Sequence, residues 1–232
     1  MLGYTYSYLL LGILFFVFWI ILFLWRKDTR KPMLLFSSLF GFAGPLADLL
    51  YTQDWWKPVT ITNTAIGLES IFVGFMIGGI ATVLYEDIFK KKIRLRKNYK
   101  SRKEKDNLHL ILLILTALIL FFGSFYLLRL NSLVSTIIAL IIPTLYIWYK
   151  RKDLIVDSLM SGVLLLVLSF LVYSTLNLIT PGWVDEFWYF RNVPHLIFLG
   201  VPIDDVIWYF LAGAFIAPLY EYWLEGRLIN KK

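Results

Sequence analysis

The chain has 232 residues, of which 59% are hydrophobic, 18% aromatic and 17% charged, with a net charge of +7. This balance excludes an ordinary soluble domain, and the lack of cysteine excludes disulfides and thiolate chemistry. No phosphate-binding glycine loop or dinucleotide fingerprint is present, and His109 and His195 lie in segments too separate to form a metal pair, so no cofactor is expected.

In chain order, seven apolar segments meet or approach the about 20 residues that cross a hydrocarbon core. They are residues 5–25, 34–51, 66–89, 108–128, 131–149, 157–179 and 201–222. Helices are expected, because an open sheet would leave backbone groups unpaired in lipid. The first segment is of span length and follows no basic residue, so it reads as a helix and not a cleaved signal peptide. All 23 Lys and Arg except Lys57, Arg129 and Arg191 fall at 26–33, 90–107, 150–156 and the C-terminal tail. That bias predicts a multi-pass plasma-membrane protein with its N-terminus outside and its C-terminus in the cytoplasm. The run KKKIRLRKNYKSRKEK at 90–105 reads as a solvated cytoplasmic loop within reach of anionic headgroups. Nucleic acid is therefore not needed to explain the charge.

The third and seventh spans superpose at a constant offset of 135. Glu69 then matches Asp204, Phe75 matches Phe210, Gly78 matches Gly213, and Leu84-Tyr85-Glu86 matches Leu219-Tyr220-Glu221. Upstream of each lies a segment rich in Trp and acid, YTQDWWKP or TPGWVDEFWYF, and before that a helix following an Arg-Lys-Asp loop at 26–28 or 151–153. The expected architecture is an all-α bundle of seven transmembrane helices in a 3+1+3 arrangement. Residues 1–107 form one three-helix repeat, 108–130 a connecting helix and 131–232 the second repeat. An odd number of spans per repeat plus one connector makes the repeats parallel.

Intramembrane ionisable residues are expensive and are functional candidates by default. Glu69 and Glu86 are 17 residues apart, roughly 25 Å along one helix, so they cannot act on one bond. Pairing across the repeats is expected instead: Glu69 with Asp204 at one depth, Glu86 with Glu221 at the other. Asp48 and Asp205 would join the outer pair in a cluster of four acids. Each has a plainer reading. Glu69 and Asp204 sit in first helical turns, where carboxylates cap free N–H groups, and Glu86 and Glu221 neighbour Lys90 and Arg227. Tyr85 and Tyr220 are secondary candidates beside the inner acids. Trp55, Trp56, Trp183 and Trp188 read as an interfacial belt, and Gly74, Gly78 and Gly213 as close helix contacts. A carboxyl group withdrawn from water favours its neutral, proton-donating form, which suits protonation of a polyene.

At these residues the chain resembles the membrane-embedded lycopene cyclase domain family, built of two related three-helix units. VPIDDVIWYF at 201–210 is similar to that family's Pro-x-Glu-Glu motif, with Asp204 and Asp205 in place of the glutamates. IGLESIFVGF at 66–75 resembles a weaker copy, with Gly67 for the proline and Ser70 for the second acid. The resemblance implies redox-neutral cyclisation of a lycopene-type end group, with Glu69, Asp204 and Asp205 in acid–base work; Asp48 is added from its position alone. The expected partners are membrane lipid and an apolar polyene, with self-association left open. The alternatives are a small-solute transporter or receptor of 3+1+3 form, or a non-catalytic carotenoid- or lipid-binding relative. A retinal-type Schiff base would need a lysine inside the bundle, and every lysine falls in a loop, tail or helix end.

Overall fold

The computed structural model describes residues 4–94 and 99–230. A short turn at Tyr4–Tyr6 leads into α1 (Ser7–Trp25), followed by α2 (Arg30–Asp54) and α3 (Leu68–Ile88). After β1 (Lys91–Arg94) come α4 (Tyr99–Tyr126), α5 (Ser132–Lys150), α6 (Ile155–Ile179) and the short α7 (Trp183–Phe187). The chain closes with β2 (Ile197–Phe198), β3 (Val201–Pro202), α8 (Ile203–Ile216), α9 (Leu219–Trp223) and β4 (Arg227–Asn230). Seven helical spans among the described residues are long and apolar enough to cross a membrane, α8 and α9 counting together as the last.

The spans agree with the apolar runs, and three departures have local causes. The seventh is broken at Ala217–Pro218, where proline has no N–H to continue the helical ladder. The fourth begins earlier than its apolar run, at Tyr99, because Lys, Arg and Glu are good helix formers even outside an apolar stretch. The start of the basic run is also not all loop, since β1 pairs antiparallel with β4. Residues 95–98 and the side chains of 99–106, which carry the rest of that run, lie outside the described residues.

The helices alternate between two ends. One, the basic end, holds Arg26, β1, Arg151 and β4; the other holds Tyr4, the 55–67 and 127–131 connections, and α7 with the loop that follows it. At the basic end two arginines do the same work. Arg26 Nη1 donates to the carbonyl of Glu86 and Nη2 to that of Lys91 (2.6 Å), and the same guanidinium pairs with Asp28 (2.7 Å). Arg151 donates to the carbonyls of Glu221 (3.3 Å) and Gly226 (2.6 Å) and pairs with Asp153 (2.8 Å). A guanidinium at a helix C-terminus satisfies orphan carbonyls and complements the dipole. Burial works against the charge of Arg26, but Asp28 and Asp87 together raise its pKa above the ordinary arginine value.

α3 is the centre of the bundle, with 72% of its apolar window buried, whereas α4 runs along the outside at 17%. α2 packs on α3 and α6 on α8 through small residues, as lipid-embedded helices do when no aqueous hydrophobic effect drives them together. A Cβ on Gly213 would stand 2.7 Å from the Ser161 carbonyl oxygen and 2.8 Å from Gly162 Cα. Gly213→Ala is therefore expected to lower stability by about 1–3 kcal/mol through overpacking. Gly123→Ala, where a Cβ meets nothing within 4 Å, should leave it unchanged or raised. Thermal unfolding in detergent checks the pair.

Candidate active site

At the end opposite the basic loops the two connections meet. Lys57 N donates to Phe187 O (2.8 Å) and Tyr189 N to Trp55 O (2.9 Å), flanking a bridge between Trp56 and Trp188. The tryptophans expected as an interfacial belt are instead turned inward: Trp55, Trp183 and Trp188 are buried, and Trp56 packs at a tilt against Trp188. Their large faces find more contact over the bundle than at its rim, and Trp55, Trp56 and Trp188 roof a cavity of ≈ 90 Å³.

Two carboxylates line this cavity, Asp48 from α2 and Asp205 from the first turn of α8. Each is held by a hydroxyl from a neighbouring helix. Ser70 of α3 donates to Asp48 Oδ2, and Tyr173 of α6 donates to Asp205 Oδ2. In the register of the 135-residue offset Ser70 corresponds to Asp205. One half thus puts the hydroxyl on the central helix and the acid on its neighbour, and the other half reverses them. Eight aromatic residues complete most of the wall, among them Tyr8, Tyr51, Trp208 and Tyr209.

The cluster of four acids expected from sequence is divided. Glu69 and Asp204 are buried but do not line the cavity. Glu69 Oε1 accepts the N–H of Ile61 (2.7 Å) in the connection before α3. Asp204 Oδ1 accepts the N–H of Asp205 (3.1 Å), and its side chain faces a second, smaller recess beside Asp54 and Arg191. Both hold backbone N–H groups, Glu69 in the connection before its helix and Asp204 in the first turn of α8, and neither caps its helix. One residue along, a helix turns a side chain by roughly 100°, which is why Ser70 and Asp205 reach a cavity that Glu69 and Asp204 miss.

At the basic end Glu86 and Glu221 do come together, as their matching depth predicts, and Asp157 of α6 joins them. One oxygen from each lies within 4.8 Å of the others. Among the described residues no ion pair joins Glu86 or Glu221 to Lys90 or Arg227. Tyr85 stacks on Phe89, and Tyr220 packs edge-on to Phe36; neither touches the aromatic cavity.

Sequence reasoning missed Tyr8, Tyr51, Tyr173 and Tyr209. The available signal was a tyrosine, with its polar tip, inside an apolar span. The Tyr51 hydroxyl accepts the Trp208 indole N–H (3.0 Å) and lies 3.1 Å from Thr136 Oγ1. Tyr51 and Trp208 are also shared with a larger apolar groove of ≈ 260 Å³, walled by α2, α3, α4, α5 and α8. Gly44, Ala47, Gly74 and Ile77 are likewise common to both spaces. The groove reaches outward past Phe42, which is 75% exposed on the lipid-facing side of α2.

Residues 131–223 match the lycopene cyclase family model. The matched stretch runs from α5 to α9 and contains Tyr173, Asp205, Trp208 and Tyr209. No curated protein and no solved structure matches the chain.

Proposed function

From a chain whose match over residues 131–223 supports assignment to the lycopene cyclase domain family and a carotenoid-cyclase type of function, we propose that Asp48 and Asp205 close the end ring of a lycopene-like polyene. One carboxylic acid gives a proton to the terminal double bond, leaving a tertiary cation. The next double bond attacks it, forming the ring C–C bond and moving the charge to a second tertiary carbon. The other aspartate, as carboxylate, removes an adjacent proton and restores a double bond. One proton enters and one leaves, so no oxidant, reductant or cofactor is consumed.

The observation that carries this reading is the wall that the two spaces share, formed by Gly44, Ala47, Tyr51, Gly74, Ile77 and Trp208. A carbocation needs an environment without water or nucleophiles, and aromatic faces stabilise positive charge. The acidic cavity alone, at ≈ 90 Å³, is smaller than the about 150 Å³ that admits a benzene ring. Once Tyr51 and Trp208 shift to open it into the ≈ 260 Å³ groove, it has room for an end group, with the rest of the polyene lying along α4 toward lipid. In this reading Ser70 and Tyr173 orient the acids, and Glu69 and Asp204 position the helix starts that carry them. A transporter path is disfavoured, because Thr136, the Tyr51 hydroxyl and the Trp208 indole N–H are the polar side-chain groups along the groove.

We further propose that residues 1–107 and 131–232 are parallel three-helix units joined by 108–130, with the N-terminus outside and the C-terminus in the cytoplasm of a plasma membrane. The paired roles of Arg26 and Arg151, and the Trp56–Trp188 bridge, support it.

The test is pigment extraction from lycopene-producing cells expressing the chain. Cyclised products are expected; unchanged lycopene at good expression sinks the proposal and leaves a binding role. Ala117→Phe, which fills the groove from the peripheral α4 without touching an acid, is expected to cut conversion about tenfold at equal protein level, one to two kcal/mol of overpacking being a factor of that order.

A further inference from the structure

The cluster at the basic end has no part in that chemistry, and three buried carboxyl groups there need neutralising, by protons or by a cation. Glu86 closes α3, Asp157 opens α6 and Glu221 lies in α9; all three are at most 1% exposed. Ser161 Oγ lies 3.4 Å from Asp157 Oδ1, a long contact at best. Among the described residues, neither oxygen of Glu86, neither of Glu221, nor Asp157 Oδ2 finds a hydrogen-bond donor outside the cluster. Two arginines near the cluster are committed elsewhere. Arg26 and Arg151 hold the main-chain carbonyls of Glu86 and Glu221 themselves, together with Asp28 and Asp153. Fully buried carboxylate oxygens without donors are costly, and three of them within 4.8 Å repel one another when ionised.

We propose that Glu86, Asp157 and Glu221 bind one hard divalent cation of the Mg²⁺, Mn²⁺ or Ca²⁺ class. Three carboxylates without nitrogen or sulfur are the ligand set such ions select. The ion would tie the last turn of α3 to the first of α6 and to α9, which the break at Ala217–Pro218 separates from α8. Its role is to hold the two halves together at the end remote from the aromatic cavity, so it does not depend on the cyclase reading.

Mn²⁺ serves as the probe, with purified full-length protein in detergent stripped by EDTA. Equilibrium dialysis with electron paramagnetic resonance of free Mn²⁺ is expected to show saturable binding near one ion per chain, competed by Mg²⁺ or Ca²⁺, with a raised melting temperature. Asp157→Asn and Glu221→Gln should each weaken binding by at least about tenfold, while Asp205→Asn binds as the wild type does. Should either variant unfold, Glu221→Asp, which keeps the charge but shortens its reach, replaces it, again with weakened binding expected. Absence of saturable binding to wild-type protein overturns the proposal, leaving shared protons to neutralise the cluster. Undiminished binding in the folded variants overturns it equally.

Discussion

Asp205→Asn is expected to lower ring formation by about 10²–10⁴-fold, the usual worth of a positioned acid or base, with protein level and lycopene uptake unchanged. The amide keeps the shape and can still accept the Tyr173 hydroxyl, so the loss would report proton transfer and not packing. Asp48→Asn should fall in the same range, because an acid without a base stalls after ring closure. Glu69→Gln separates the two kinds of carboxylate. Its remaining carbonyl can still take the Ile61 N–H, so most of the activity should survive. Product ratios in pigment extracts decide: Asp205→Asn at half of wild-type conversion or more would remove the cavity from consideration. An inactive Glu69→Gln beside an active Asp48→Asn would return the chemistry to Glu69, one of the three acids that the family resemblance implies.

Arg26→Met is expected to be the most destabilising single change at the basic end. The Arg26 side chain is 7% exposed and lies 3.3 Å from Asp87, whose side chain is 0% exposed. It also supports the carbonyls of Glu86 and Lys91. The change takes a buried charge partner from Asp87 and a donor from both carbonyls, and breaking a buried pair costs up to about 3–5 kcal/mol. The matching change, Arg151→Met, should cost far less, because its partner Asp153 is 47% exposed and solvated ion pairs contribute roughly 0–1 kcal/mol. Its main-chain bonds to Glu221 and Gly226 add a share. Melting temperatures of the two variants in one detergent give the comparison, and equal losses would show that burial does not set the difference.

The division between what was legible and what was not follows the range of the interactions. Apolar runs marked all seven spans, since crossing lipid is a requirement on each segment by itself. The 135-residue offset paired Glu86 with Glu221, because equal depth in parallel helices is also a property of each segment. It could not reveal Asp157, which lies where apolar span meets basic loop and looks like a headgroup-level acid. Nor could it separate Ser70 and Asp205 from Glu69 and Asp204. α3 is enclosed almost all round, and lipid-facing residues are as apolar as core ones, so no polar stripe says which way each side chain points.

The sequence by itself determined class, span number and an inventory of intramembrane acids, for charge and hydropathy act residue by residue. Only the tertiary structure decided which acids share a space. Asp48 and Asp205 stand 157 positions apart in the chain, and their common cavity exists because α2 and α6 pack against α3 and α8 under a roof of tryptophans. That proximity depends on the rotation of whole helices about their axes, to which every apolar face in a membrane contributes alike.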